Sequence, residues 1–333
     1  MKNNWKINII DEIYSIKIKI KYKISKIGEK DLKIFILTHK DFVNTRNNPI
    51  YNIVVDDKSQ LKMKYNINVI DSKDGKLYKK KRGYCEMAKI YYIYHLYKNG
   101  NLSSRYIGFN HYRRYFNFTD NIPDLDDIFG KYDIILNKPK NIPVDFRLYY
   151  CKFHYCKMYD EIINIIKDIK PEYYDSAIEV SKRKYMYICN LFIMKKEDFF
   201  KYCEFMFDIL FEFDKRHNFN NDNDILRFTR KIYNSTYSSY LQSRLEAFLS
   251  ERISNIFYYY NFKRIKNFKM IFQNITLKDM SWIWKIDYQY KLIITSEFSL
   301  TFYKRIQTSM QCKGINIQKR NNKMFNKNKF SIL

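Results

Sequence analysis

Residues 105–116 read RYIGFNHYRRYF. The stretch opens like a buried strand, with Tyr106, Ile107 and Phe109, and closes on His111, Arg113 and Arg114 among tyrosines. Two adjacent arginines beside a histidine suit a dianionic group such as a diphosphate. Arg supplies a rigid, permanently charged donor fork, and His donates a hydrogen bond or a proton near neutral pH. The plainer alternative is a surface arginine pair making ordinary ion pairs of small worth. Two other strand-like segments carry polar groups that a core does not need. Thr38-His39-Lys40 follows KIFIL, and Asn190 lies within YMYICNLFIM. His39 alone would be read as structural.

A second chemistry-bearing stretch is SRLEAFLSERISNIF, residues 243–257. As a helix it puts Leu245, Phe248, Leu249 and Ile256 on an apolar stripe, with Arg244, Glu251 and Asn255 beside it. Arg244 and Glu251 are about two turns apart, so both can face one cleft. A carboxylate there takes a proton from a hydroxyl within hydrogen-bond reach. Pairing of Glu251 with Arg252 or Arg244 on the helix surface is the bland reading. Asp124-Leu125-Asp126-Asp127 and Asp222-Asn223-Asp224 offer oxygens of the kind hard divalent cations want. Both read as polar loops, where turn acids are commoner. No phosphate-binding glycine loop, GxSxG elbow or HExxH helix occurs.

These groups must be positioned by a folded core. The chain has 333 residues, 46% hydrophobic and 18% aromatic, enough for one large α/β domain with additions or for two domains. KIFIL (33–37), YNIVV (51–55), INVI (67–70), YIGF (106–109), YDIIL (132–136) and YMYICNLFIM (185–194) are expected strands. Helices are expected over 85–98, 158–169 (stopped by Pro171), 197–216 and 242–259, with loops at 73–82 and 220–224. Strands alternating with helices predict a mainly parallel sheet covered on both faces, with ligands outside its carboxyl edge. IKIKIKYKI (16–24) alternates apolar and Lys positions, as an added edge strand would.

The net charge of +26 would suit a polyanionic partner, but half of it lies in the terminal segments 1–30 and 301–333. The expected organisation is a basic extension over 1–30, a domain over 31–262 and a second basic extension over 263–333. Six cysteines without CxxC or a zinc-knuckle spacing are read as reduced, in a cytoplasmic setting. No apolar run approaches the length of a signal peptide core or a membrane span.

The segments THKDF, NPIY, GYCEM, YIGFNHYRRYF, KYDIIL, CNLFIMKKEDFF and AFLSERISN together resemble, in this order, a bacterial family called domain of unknown function 4422. The likeness covers roughly residues 33–262. That family is found in capsule, exopolysaccharide and lipopolysaccharide loci and is classed with type A glycosyltransferases. The resemblance therefore implies a Rossmann-type, glycosyltransferase type A-like sheet flanked by helices. It also implies transfer of a sugar from a nucleotide-sugar donor to a saccharide or lipid-linked acceptor.

Type A enzymes often hold a divalent metal, Mn or Mg, on an Asp-x-Asp pair after a central strand. Here NHYRR stands after YIGF, so the expectation is that His111, Arg113 and Arg114 neutralise the leaving diphosphate without metal. By position in the family pattern, Thr38, His39 and Lys40 meet the nucleotide. Tyr84, Glu86, His154, Asn190, Arg244 and Arg252 contact donor or acceptor, and Glu251 is the base, with His111 as its catalytic partner. The loop before YCE is basic here, DSKDGKLYKKKRG, and Gly83 replaces a bulky residue. Such a loop would favour an anionic sugar or a lipid-linked pyrophosphate. Basic termini would hold the protein at the inner face of an anionic membrane. The alternatives are a nucleic-acid-binding protein, ranked well below because the basic residues are dispersed, and a non-catalytic sugar-binding relative.

Overall fold

The computed structural model describes residues 31–272, apart from 43, 45, 47, 117–121 and 234–235. The lysine-alternating segment 16–24 and both terminal charge runs lie outside the described residues.

Strands form at β1 (Leu32–Leu37), β2 (Tyr51–Val55), β3 (Val69–Asp71), β4 (Tyr106–His111), β5 (Arg114–Phe116), β6 (Ile134–Asn137), β7 (Lys140–Asn141), β8 (Tyr185–Met186), β9 (Phe192–Lys195), β10 (Ile265–Phe268) and β11 (Met270–Phe272). The main sheet runs β3-β2-β1-β4-β9-β6-β10. All of these are parallel except β9, which is antiparallel to both β4 and β6. β5 turns back on the end of β4 and pairs with β11, while β7 and β8 make a separate two-stranded ribbon. Beyond residue 262 the sheet continues, with β10 pairing with β6 along its whole length.

Helices are α1 (Lys81–Tyr84), α2 (Glu86–Lys98), α3 (Leu125–Lys131), α4 (Phe146–Cys151), α5 (Cys156–Ile169), α6 (Tyr174–Ser181), α7 (Lys196–His217), α8 (Asp222–Ile232), α9 (Thr236–Gln242) and α10 (Leu245–Asn261). Alternation along β1 explains the layering. Phe35 and Leu37 pack into one core with α2, α5, α7 and α10, whereas Ile34 and Ile36 face a second core that includes Leu125, Ile128 and Phe129 of α3. β4 lies between β1 and β9 at such close quarters that a Cβ on Gly108 would stand 2.9 Å from the Ile193 side chain.

Several expectations need correction. Residues 185–194 do not form one strand: Cys189 and Asn190 adopt left-handed φ values of 70° and 47°, breaking the ladder between β8 and β9. The acids at 222–224 open a helix rather than filling a loop. Asn221 and Asp224 form a reciprocal cap at the start of α8, and Asp222 accepts the backbone N–H groups of Arg82 and Gly83. Asp124 caps α3, and Asp126 takes Arg105 and the Tyr106 hydroxyl. Cys151 and Cys156 are joined by a disulfide across the α4–α5 turn, while Cys85, Cys189 and Cys203 are free thiols. The reduced reading therefore holds for only three of the five described cysteines.

Candidate active site at the carboxyl edge of the sheet

β1 and β4 are parallel and in register, with Leu37 opposite His111, so Thr38-His39-Lys40 and His111-Arg114 emerge side by side. Tyr112 is the buried wedge between them. Its ring meets the edge of His39 at 5.3 Å, lies 4.5 Å from the His111 ring and has the Arg113 guanidinium 5.0 Å from its centre. Burial, and then Arg114, Arg113, His39 and Arg244, hold the His111 imidazole well below its usual pKa. Among the described residues its Nδ1 is buried without a hydrogen-bond partner, as is Nε of Arg113. His39, exposed as a residue, is still drawn down to about 4, first by loss of water around part of its ring and then by Lys89. Both histidines are thus neutral at pH 7.

Arg244 reaches this cluster from the start of α10. It is the residue before the helix rather than a member of its stripe, and its Nε donates to Cys85 Sγ at 3.1 Å. Glu86 and Glu251 also act on it electrostatically. Glu86 opens α2 because Cys85, at φ 47°, breaks the chain between α1 and α2. Its carboxyl is pushed up by burial and next by Glu251. Glu251 sits two turns into α10, where its Oε1 accepts the Cys189 backbone N–H at 3.0 Å and its Oε2 accepts from Arg252 Nη1 at 3.0 Å.

The left-handed pair Cys189-Asn190 is what turns that N–H toward α10. Asn190 Nδ2 donates to Ser250 Oγ at 3.2 Å and to Glu86 Oε1 at 3.4 Å, and its Oδ1 accepts from Ser254 at 2.8 Å. A small polar seam thereby ties the two carboxylates together. Cys85 and Cys189 are pushed up by burial to about 11 and about 12, so both remain thiols rather than nucleophilic thiolates at neutral pH.

The structure brings His39, His111, Arg113, Arg244, Glu86, Asn190 and Glu251 together around one rim, with Arg114 acting on both His111 and Cys189. It treats other expected site residues differently. Thr38 is buried and spends its hydroxyl on the Lys40 carbonyl at 2.6 Å, shaping the turn, while Lys40 is exposed. Tyr84 is fully buried and donates to Asp214 at 2.7 Å, so it is a core residue and not a substrate contact. His154 is wedged between Tyr150 and Phe248 and bonds Gln242 at 2.7 Å, with the Arg244 guanidinium 5.5 Å from the centre of the same Phe248 ring. Arg252 is buried over the Tyr150 ring and serves Glu251. The basic loop is also partly occupied: Lys80 pairs with Asp214, and Lys81 and Arg82 lie 3.9 Å over Tyr78 and Tyr240.

Sequence reasoning missed the Lys89–Asp56 pair at 2.6 Å, which places a carboxylate just past the end of β2. A lysine inside an otherwise apolar helix, and an acid directly after an apolar strand, were the available signals. Around the rim the donor set is rich in guanidinium, and the described residues contain no group of three His, Cys, Asp or Glu side chains placed to hold a metal ion. These residues suit an anion better than a divalent cation. Among the described residues no helix is long and apolar enough to cross a membrane.

A solved structure with this architecture is that of WbbM, a bifunctional glycosyltransferase in its apo form. The two share 21% identity with a TM-score of 0.54 over 74% of this chain. The match spans 46% of that protein, so the chain corresponds to less than half of it, and the likeness establishes a shared fold. No curated protein matches the chain. The family described as domain of unknown function (DUF4422) matches residues 33–262, from the first strand through the end of α10. The chain that carries this cationic rim belongs to that family.

Proposed function

We propose that this protein is a glycosyltransferase that moves a sugar, of hexosyl type, from a nucleotide-sugar donor to a saccharide or lipid-linked acceptor in capsule, exopolysaccharide or lipopolysaccharide synthesis. The carrying observation is the convergence of His111, Arg113 and Arg244 at the carboxyl ends of β1 and β4. In such sheets that edge is where ligands bind. In an inverting transfer the acceptor hydroxyl loses its proton to a carboxylate while its oxygen bonds to the anomeric carbon. The bond from that carbon to phosphate breaks, and the nucleoside diphosphate departs with the electron pair. Arg113, Arg114 and Arg244 stabilise that growing charge, as preorganised cations do in a site sheltered from water. His111 adds an N–H and takes up a proton once the anion is present.

Glu251 was the expected base, yet both of its oxygens are engaged. Glu86 has the raised proton affinity that a general base needs near neutral pH. The reading adopted is that Glu86 takes the proton and Glu251, fixed by Cys189 and Arg252, orients the seam through Asn190. Glu86→Gln should then lower kcat by 100-fold or more with donor affinity kept. Glu251→Gln should cost less than tenfold. The reverse order would return the role to Glu251.

The donor is found by thermal-shift screening against uridine, guanosine, cytidine and thymidine diphospho-sugars with and without metal, since a bound ligand raises Tm by mass action. Transfer should persist in EDTA and fall at least 100-fold in Arg113→Ala. Strict dependence on manganese would overturn the metal-independent form. Attachment to the inner membrane face through the basic termini predicts binding to anionic vesicles that is lost as salt is raised.

A further inference from the structure

A cavity of about 530 Å³ lies beside the far half of α10, bounded also by α6, β8 and the start of β10. Its walls include Tyr185, Tyr187, Tyr259, Tyr260, Arg183 and Lys263, and among the described residues none in the lining is acidic. The volume falls within the ~300–1,000 Å³ range of small-ligand sites. Arg183 is laid flat against the Tyr259 ring at 3.8 Å and near Tyr185 at 5.3 Å, and it also donates to the Tyr185 hydroxyl. Two acids that approach this part of the chain are paired with neighbouring cations. Glu179 pairs with Lys182 at 2.7 Å, and Asp133 takes the Arg264 fork at 2.7 Å together with the Lys263 backbone N–H at 3.1 Å. Two cations thus border a tyrosine-walled hollow whose lining, among the described residues, holds no carboxylate.

We infer that this cavity binds an acidic saccharide, namely a carboxylate- or phosphate-bearing sugar of the acceptor chain. This rests on the glycosyltransferase reading of the neighbouring rim. Tyrosine faces give rigid, amphipathic area on which a sugar ring stacks while its hydroxyls reach phenol oxygens. Arg183 and Lys263 supply the counter-charge, the guanidinium in a planar fork suited to a carboxylate or phosphate.

The cavity is tied to the rim through Asn255, which lines it. Asn255 Nδ2 donates to the Glu251 carbonyl at 2.6 Å and to the Tyr187 carbonyl at 2.9 Å, while its Oδ1 accepts the Tyr187 N–H at 2.8 Å. Glu251 and Asn255 are one helical turn apart, ~5.4 Å along α10. An acceptor whose reacting end sits at Glu86 and Glu251 therefore has its preceding residues within reach of the tyrosines.

The test is calorimetric titration, without donor, of a hexuronic acid trisaccharide, a neutral hexose trisaccharide of the same length, and UMP or oligo(dT) into the wild type, Arg183→Gln and Tyr260→Ala. The acidic trisaccharide should bind the wild type at least tenfold more tightly than the neutral one. Arg183→Gln should erase that preference, and Tyr260→Ala should weaken both sugars. An acidic trisaccharide that fails to bind, an unchanged affinity in Arg183→Gln, or displacement of the sugar by UMP or oligo(dT) would each overturn the assignment. Hydrolysis of the donor found by screening is measured in parallel and should be unchanged in Arg183→Gln. Saccharide binding with no nucleotide sugar bound anywhere would remove the glycosyltransferase reading and leave the cavity. Donor turnover without saccharide binding would do the opposite.

Discussion

A histidine buried beside guanidinium groups holds its proton poorly, and this is the condition of His111. A nucleoside diphosphate bound there would reverse the local field and return the imidazole to its charged form. Binding at pH 7 should therefore take up a fraction of a proton. Calorimetry in two buffers of different ionisation heat measures it, and His111→Gln should abolish the uptake and weaken binding roughly tenfold, worth about 1.4 kcal/mol. Uptake that survives in His111→Gln would transfer the effect to His39. At this scale the arginines were legible because two of them follow a strand, where a core has no use for charge. Tyr84 and His154 were not. Their types suit substrate contact equally well, and only the packing around Asp214 and Gln242 shows that their polar atoms are already engaged.

Secondary-structure elements set the reach of those side chains, and one junction between them is tight. Gly83 of α1 faces Glu246 of α10 so closely that a Cβ would lie 2.4 Å from Glu246 Oε2. Glu246 is completely buried, with its carboxyl beside that of Asp214. Burial, and then Asp214, hold its pKa well above the usual carboxylate range. Gly83→Ala should cost about 1–3 kcal/mol in chemical denaturation, as overpacked sites do. In a Glu246→Ala background the same substitution should cost clearly less, and equal costs in both backgrounds would show that the two residues do not couple. The long helices and the strands β1, β2, β4 and β6 were readable from their apolar residues, whereas β5, β7, β10 and β11 were not. The break at Cys189-Asn190 was not, because the residues on both sides are as strand-forming as any in the chain and only the engagement of α10 by that turn favours left-handed backbone. The cap at Asn221–Asp224 was readable in principle, since an Asn three residues before an acid is a helix-start signal.

For the whole molecule, four histidines with lowered pKa values set the acid limit of the fold. His154 is held at about 4, mainly by burial, with His39 at about 4 and His111 and His95 also depressed. The unfolded chain takes up protons at these sites near pH 6.5. Stability from them is therefore complete above that value and drains away as pH falls toward about 4. Tm should drop over this window, and His154→Gln should flatten part of the slope. A profile indifferent to that substitution would place the acid sensitivity in other groups. The overall architecture was legible because alternating strand and helix patterns admit few topologies. The reversed direction of β9 was hidden, because periodicity does not report strand orientation. That reversal has a consequence for how the family can diversify. A strand running against its neighbours meets the working rim with its leading flank, so residues 187–191 approach the site from the opposite side to the segments that leave β1 and β4. Lengthening or recolouring that approach would redraw one wall of the cleft while every rung of the ladder stayed in place.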